Sequence, residues 1–129
     1  MYFEYMRTLT LSILICVLLQ GCQRKIGDFN PPTITIISPE DESISSSGGT
    51  VIVRATITDD IRINEVHLDV MNVNLNQKVF SFSTSPKELT YQLDQSFVTE
   101  YRTRYEIAVE AEDLDGNVHR QKIYVSALL

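Results

Sequence analysis

The sequence predicts an all-β protein built as a single antiparallel β-sandwich, and three observations carry that prediction. From Thr33 to Ser126, apolar and polar residues alternate with period two in one segment after another, which is the mark of a half-buried strand. The segments number about seven, and Pro, Gly, Asn or Asp separates them, as in sandwiches made of short strands. No stretch in this region repeats its apolar residues at helical spacing, so nothing argues for an amphipathic helix.

Taken in order, Pro31-Pro32 stiffens the start and forbids helix there. Thr33 to Ile37 (TITII) is β-branched and bounded by prolines, so it is a first, edge-type strand. Pro39 to Gly49 reads as turn and loop, with Ile44 as an inward plug. Thr50 to Thr58 alternates, with Val51, Val53, Ala55 and Ile57 on one face. Asp59-Asp60 ends it. Ile63 to Val70 repeats the pattern with Val66, Leu68 and Val70 inward. Asn72 to Gln77 is a turn, since Asn tolerates positive φ. Lys78 to Ser83 sets Phe80 and Phe82 on one face. Glu88 to Leu93 groups Leu89, Tyr91 and Leu93. Thr103 to Glu112 is the clearest strand, with Tyr105, Ile107, Val109 and Ala111 inward. Asp113 to Asn117 is a tight turn with Gly116 where φ > 0 is wanted. His119 to Ser126 is the last strand, with Ile123 and Val125 inward.

Ahead of this region lies a different kind of segment. Leu9 to Leu19 is an apolar run of 11 residues, broken only by Thr10 and Ser12. A spanning helix needs about 20, whereas the apolar h-region of a secretory signal peptide has about this length. Arg7 is the only basic residue before it and Glu4 offsets it; a start at Met6 would remove Glu4 and leave a cleaner signal. The run ends in Leu19-Gln20-Gly21-Cys22, which resembles a bacterial lipobox. The resemblance implies cleavage between Gly21 and Cys22, a diacylglyceryl group on the Cys22 thiol, and acylation of the new amine. Several acyl chains anchor stably where one does not. The division expected is therefore a signal peptide at 1–21, a lipidated N-terminus and linker at 22–30, and the sandwich at 31–129.

Composition agrees with that division. The two cysteines are Cys16, inside the apolar run, and Cys22. The mature domain then has no thiol for a disulfide, a metal or catalysis, and must rely on its apolar core. Glu4 and Arg7 cancel, so the mature chain keeps the formal net charge of −6. An acidic surface argues against nucleic acid as a partner. The absence of Trp lowers a sugar-binding reading.

The pieces PPTITIISP, SGGTVIVRATITDD and YEIAVEAEDLDGN resemble bacterial immunoglobulin-like domains and are similar to fibronectin type III and cadherin-like repeats. The resemblance covers residues 31–126. It implies an immunoglobulin-like sandwich in which Tyr105 is the tyrosine-corner residue at the start of its strand. The Cys pair and core Trp of antibody domains are absent. With its lipobox the whole chain also resembles small lipoproteins of the Bacteroidota. These motifs specify a framework and not a function.

Three kinds of chemistry were weighed. Asp113, Asp115 and Asn117 alternate around Gly116, and Asp60 belongs to another acidic turn. Such loops can offer oxygen ligands to Ca²⁺, though the Glu of an EF-hand's twelfth position is missing, and hairpin chemistry accounts for the same residues. Glu65, Asp69, Glu106, Glu110 and Glu112 would share an outer sheet face, either for a basic partner or balanced by Arg120 and Lys122 opposite Glu112 and Glu110. His67 and His119 stand apart, without an HExxH motif, a GxSxG elbow or a phosphate loop, so no enzyme is expected.

The expectation is a non-catalytic domain anchored to the membrane at Cys22, outside the cytoplasm. Gln23, in place of Asp after the cysteine, implies the outer membrane under the sorting rule of enterobacterial lipoproteins. The function expected is a protein-interaction or adaptor module meeting an envelope protein; the alternative is a glycan- or Ca²⁺-binding module. An exposed apolar or aromatic patch would favour the first, with Phe97, Tyr101 and Tyr124 the aromatics to inspect. Clustered carboxylates at one end of the sandwich would favour the second.

Overall fold

A computed structural model describes residues 27 and 29–128 of the chain. Eight strands form among them: β1 (Thr33–Ser38), β2 (Ser43–Ser46), β3 (Thr50–Thr58), β4 (Ile63–Asn72), β5 (Gln77–Thr84), β6 (Thr90–Val98), β7 (Thr103–Asp113) and β8 (Val118–Leu128). They make two sheets, one of order β1-β3-β6 and one of order β2-β8-β7-β4-β5. No described residue is helical. The architecture is the immunoglobulin-like sandwich expected, with β1 at an edge as its prolines required.

The alternating residues of each strand fill the space between the sheets. Val51, Val53, Ala55 and Ile57 of β3, with Leu93 and Phe97 of β6 and Ile34 of β1, face Val66, Leu68 and Val70 of β4, Ile107, Val109 and Ala111 of β7, and Ile123, Val125 and Ala127 of β8. Phe80, Phe82 and Tyr91 pack on the rim of this core. Ile63 and Val66 are both buried although three positions apart, because the β4–β7 register shifts between Ile63 and Glu65. Such a bulge inserts one residue and restores the inward phase.

The tyrosine corner forms at the start of β7. Tyr105 is almost wholly buried, and its hydroxyl accepts a 2.7 Å hydrogen bond from the backbone N–H of Glu100. Its ring meets Phe97 edge to face, with centroids 5.2 Å apart and planes at 65°, a favoured arrangement for two aromatic quadrupoles. This contact joins the two sheets where β6 turns into β7.

Several expectations are corrected. The segment 39–49 is not all loop: β2 runs parallel to β8, pairing Ser43 with Val125 through Ser46 with Leu128. Asp41 fastens it there, its Oδ1 accepting from the backbone N–H groups of Glu42 (3.1 Å) and Tyr124 (2.8 Å). Ile44 is therefore no inward plug but 71% exposed; the backbone ladder and not the hydrophobic pattern sets its direction. β4 runs on to Asn72 and β6 to Val98, so Phe97 is a core residue. Leu89 shares the parity of Leu93 but precedes β6 and lies about half exposed.

Candidate functional site

The sandwich offers three surfaces on which a site could stand: the polar outer face of the larger sheet, the end where the linker meets the domain, and the opposite end. The outer face gathers the five carboxylates that the sequence placed there. The β4–β7 register sets Glu65 beside Glu112, His67 beside Glu110, and Met71 beside Glu106. Cations then pair with three of the five. Lys122 reaches Glu106 at 2.7 Å, Lys78 reaches Asp69 at 2.9 Å, and Arg120 reaches Glu110 at 3.4 Å. The pairs fall one step from the expected ones: Arg120 is opposite Glu110 and Lys122 opposite Ala108. The Lys122 hydrogen bond, outweighing burial and joined by the Tyr124 hydroxyl, lowers the Glu106 carboxyl below its usual value. Burial pushes Asp69 up, but hydrogen bonds from Lys78 and Ser81 outweigh it and hold Asp69 low. Small Ala108 leaves a shallow recess of about 220 Å³ bordered by His67, Asp69, Glu110 and Arg120. Asp69, Glu106 and Glu110 are balanced in this way, while Glu65 and Glu112 stand side by side with His67 3.3 Å from Glu65, so the acidic surface left for a basic partner narrows to that corner.

At the linker end the structure brings together the β3–β4 turn, the β7–β8 turn and residues 27–32. Asn30 donates to Asp60 at 3.2 Å, Pro32 O lies 2.8 Å from His119 Nδ1, and Gly27 lies beside Asp115. Because Pro32 O only accepts, His119 Nδ1 carries the proton. Asp60, Asp113 and Asp115 thus share one end of the sandwich, yet Asp60 is engaged by the linker and Asp113 by its own turn. Asp113 is buried; its Oδ1 accepts from the N–H groups of Asp115 and Asn117, both at 2.8 Å, and its Oδ2 from the Asn117 amide at 2.6 Å. Burial raises its pKa, and these hydrogen bonds more than reverse that, so Asp113 titrates below the ordinary aspartate value. Three of its roughly four acceptor sites are occupied within the turn. Asp59 caps the other turn, with Oδ2 accepting from Ile61 N (3.1 Å) and Arg62 N (2.6 Å). Among the described residues no group of three His, Cys, Asp or Glu is placed to hold a metal ion.

Of the apolar side chains exposed at the two ends, the sequence singled out Tyr101 for inspection and placed Leu89 with the inward residues of its strand, and it marked none of the others. At the linker end Phe29 is 80% exposed, and Ile61, Leu89, Leu114 and Val118 are each about half exposed. At the far end Leu75 (66%) and Val98 (65%) stand out of the surface, with Val73 and Tyr101 about half exposed. Hydrogen bonds knit the far-end loops together: Gly48 N to Thr99 O (3.0 Å), Val73 N to Arg104 O (2.8 Å) and Arg104 N to Asn74 Oδ1 (2.9 Å). Of the aromatics to inspect, Tyr101 is exposed, Tyr124 is half-buried under the Arg104 guanidinium 4.8 Å away, and Phe97 is in the core. Period-two patterning finds inward residues, and loop-tip apolar residues have no period to read.

Cys22 and Gly21, the lipid-attachment and cleavage residues expected from the sequence, lie outside the described residues. No described helix is long and apolar enough to cross a membrane. No curated protein matches the chain. The bacterial Ig domain family matches residues 32–103, more than half of the chain, from the start of β1 to the first residue of β7. That match, the two-sheet order and the tyrosine corner agree with one another, and the chain belongs to the bacterial Ig domain family.

Proposed function

We propose that this chain is a lipid-anchored module of the bacterial cell envelope, which displays a non-catalytic Ig domain for contact with another envelope protein. The bacterial Ig domain is a non-catalytic module, so the question is what it touches. The observation that carries the protein-contact reading is the far end of the sandwich. There Val73, Leu75, Val98 and Tyr101, from two adjoining loops, expose apolar surface that a solvated tip does not need. Tyr101 is of the type enriched among interface hot spots, and the aliphatic residues around it supply apolar area that excludes water. The anchor reading is supported by the apolar run at 9–19 followed by Gly21-Cys22, and the outer-membrane reading by Gln23.

Site-specific photocrosslinking in intact cells tests this. A photoreactive residue placed at Leu75, Val98 or Tyr101 of the full chain should give one discrete adduct. The same residue at Lys122, on the charge-paired part of the sheet face, should give none. Adducts from Lys122 alone, or no adduct from the far end, would reject the far end as the contact surface. Fractionation beside a Cys22→Ala variant checks the anchor, because that variant should leave the membrane fraction.

A further inference from the structure

We infer that the linker end of the domain rests on the bilayer surface, with Phe29, Ile61 and Leu114 at the lipid interface and the far end held outward. The inference rests on the lipid-anchor reading of Cys22 and adds to it a fixed orientation. Two observations meet here. The first is length. Five peptide steps separate Cys22 from Gly27, which already lies against the domain beside Asp115. Fully extended, five residues span at most about 17–18 Å. The Cys22 backbone and the linker end therefore cannot separate by more than that, whereas the ten steps of β7 carry the far end about 33 Å away.

The second observation is what the linker end exposes. Phe29 stands on the linker, Ile61 at the tip of the β3–β4 turn and Leu114 at the tip of the β7–β8 turn, and all three are at least about half exposed. Three separate segments thus present an apolar side chain at the one end that the tether keeps near lipid. Aromatic and aliphatic residues at this depth gain by leaving water for the headgroup–acyl boundary.

Charge selects the lipid. Counting the tether, Asp28, Asp59, Asp60, Glu88, Glu112, Asp113 and Asp115 outnumber Arg24, Lys25, Arg62 and Lys87 by seven to four. An anionic surface would repel them, so the surface that fits is zwitterionic.

The chain contains no Trp, so an introduced one reports without background. Leu114→Trp and Phe29→Trp are placed in the full lipidated chain, with Val98→Trp as the far-end control. Each is reconstituted in phosphatidylcholine–phosphatidylethanolamine vesicles with brominated acyl chains, which quench Trp at the interface. The expected result is a blue-shifted, quenched emission from positions 29 and 114, and a water-like, unquenched one from position 98. Adding phosphatidylglycerol at low salt should weaken the quenching. Replacing Ile61 by Ser together with Phe29 should lower the quenching of Leu114→Trp severalfold, as about half a side chain's transfer energy is lost at each site. Vesicle flotation separates the two ways of failing. A chain that floats but leaves positions 29 and 114 unquenched overturns the orientation alone. A chain that does not float, with Cys22 unmodified by mass spectrometry, overturns the anchor and the orientation together. Quenching that requires anionic lipid overturns the assignment of a zwitterionic surface.

Discussion

Replacing Tyr105 by phenylalanine removes one oxygen from the interior and tests what the tyrosine corner contributes. The hydroxyl accepts from Glu100 N at 2.7 Å, while the ring packs against Phe97 at 5.2 Å. In Tyr105→Phe the ring and its contact remain, and the Glu100 N–H loses its partner. A hydrogen bond of this kind contributes about 1 kcal/mol net, rising to about 2 when the orphaned donor is sealed from water. Glu100 itself is exposed, so water can reach part of the site and the lower figure applies. For a domain of this size about 1 kcal/mol corresponds to a fall in Tm of about 4–8 °C. Tyr105→Ala should cost about 3–5 kcal/mol, because it also removes a side chain only 1% exposed. The assay is urea and thermal unfolding followed by far-UV circular dichroism on the chain carrying Cys22→Ala. Tyr124→Phe is the control, since its hydroxyl bonds only the surface carboxylate of Glu106 at 3.1 Å, and it should change little. If Tyr105→Phe melts with wild type, or loses as much as Tyr105→Ala, the division between hydroxyl and ring is wrong.

Acid should weaken the β7–β8 turn through Asp113. Its folded pKa lies below the ordinary 3.8, so its contribution is complete above that value and is lost as pH falls through the lower folded one. The gap in Tm between wild type and Asp113→Asn should therefore shrink as the pH drops below about 4; a constant gap would contradict this. Gly116→Ala should cost about 1 kcal/mol by backbone conformation alone, since φ is 87° and no atom lies within 4 Å of the added Cβ. Gly49→Ala should cost more, because its Cβ would lie 2.8 Å from the Ser46 carbonyl oxygen and force the backbone to shift; denaturant midpoints rank the two. Leu68→Ala, in the centre of the core, should cost about 2–5 kcal/mol, whereas Ile44→Ser should stay within about 0.5. A large loss for Ile44→Ser would mean that this side chain packs after all.

The sequence was legible wherever burial imposes a period. β3 and β7 lie inside their sheets, flanked on both sides, and their alternation predicts Val51 to Ile57 and Tyr105 to Ala111 as core without error. Legibility fell at edges and ends. β2 is short, polar and paired with only one strand, so its existence depends on the β8 ladder and on Asp41 reaching Tyr124 N, a contact spanning 83 positions. The β4 bulge hides in the same way, since the partner strand and not the local pattern decides which residue is extra. The carboxylates illustrate a third case. Sequence placed Glu65, Asp69, Glu106, Glu110 and Glu112 on one face, but cross-strand register chose their partners, one step from those expected.

By itself the sequence determined the sandwich, the inward residues of its central strands, the Gly116 turn and the pattern at Cys22, and the family resemblance added the tyrosine corner. All but the corner follow from neighbours a few positions apart or from a periodicity that one buried face enforces. Only the tertiary structure decided which outer-face carboxylates meet a cation, that Asp113 is occupied by its own turn, and that exposed apolar residues stand at both ends. Those outcomes depend on which loops the two sheets bring together, such as the β4–β5 turn with Arg104 through Val73 and Asn74, and no local pattern encodes a meeting between residues so far apart in the chain.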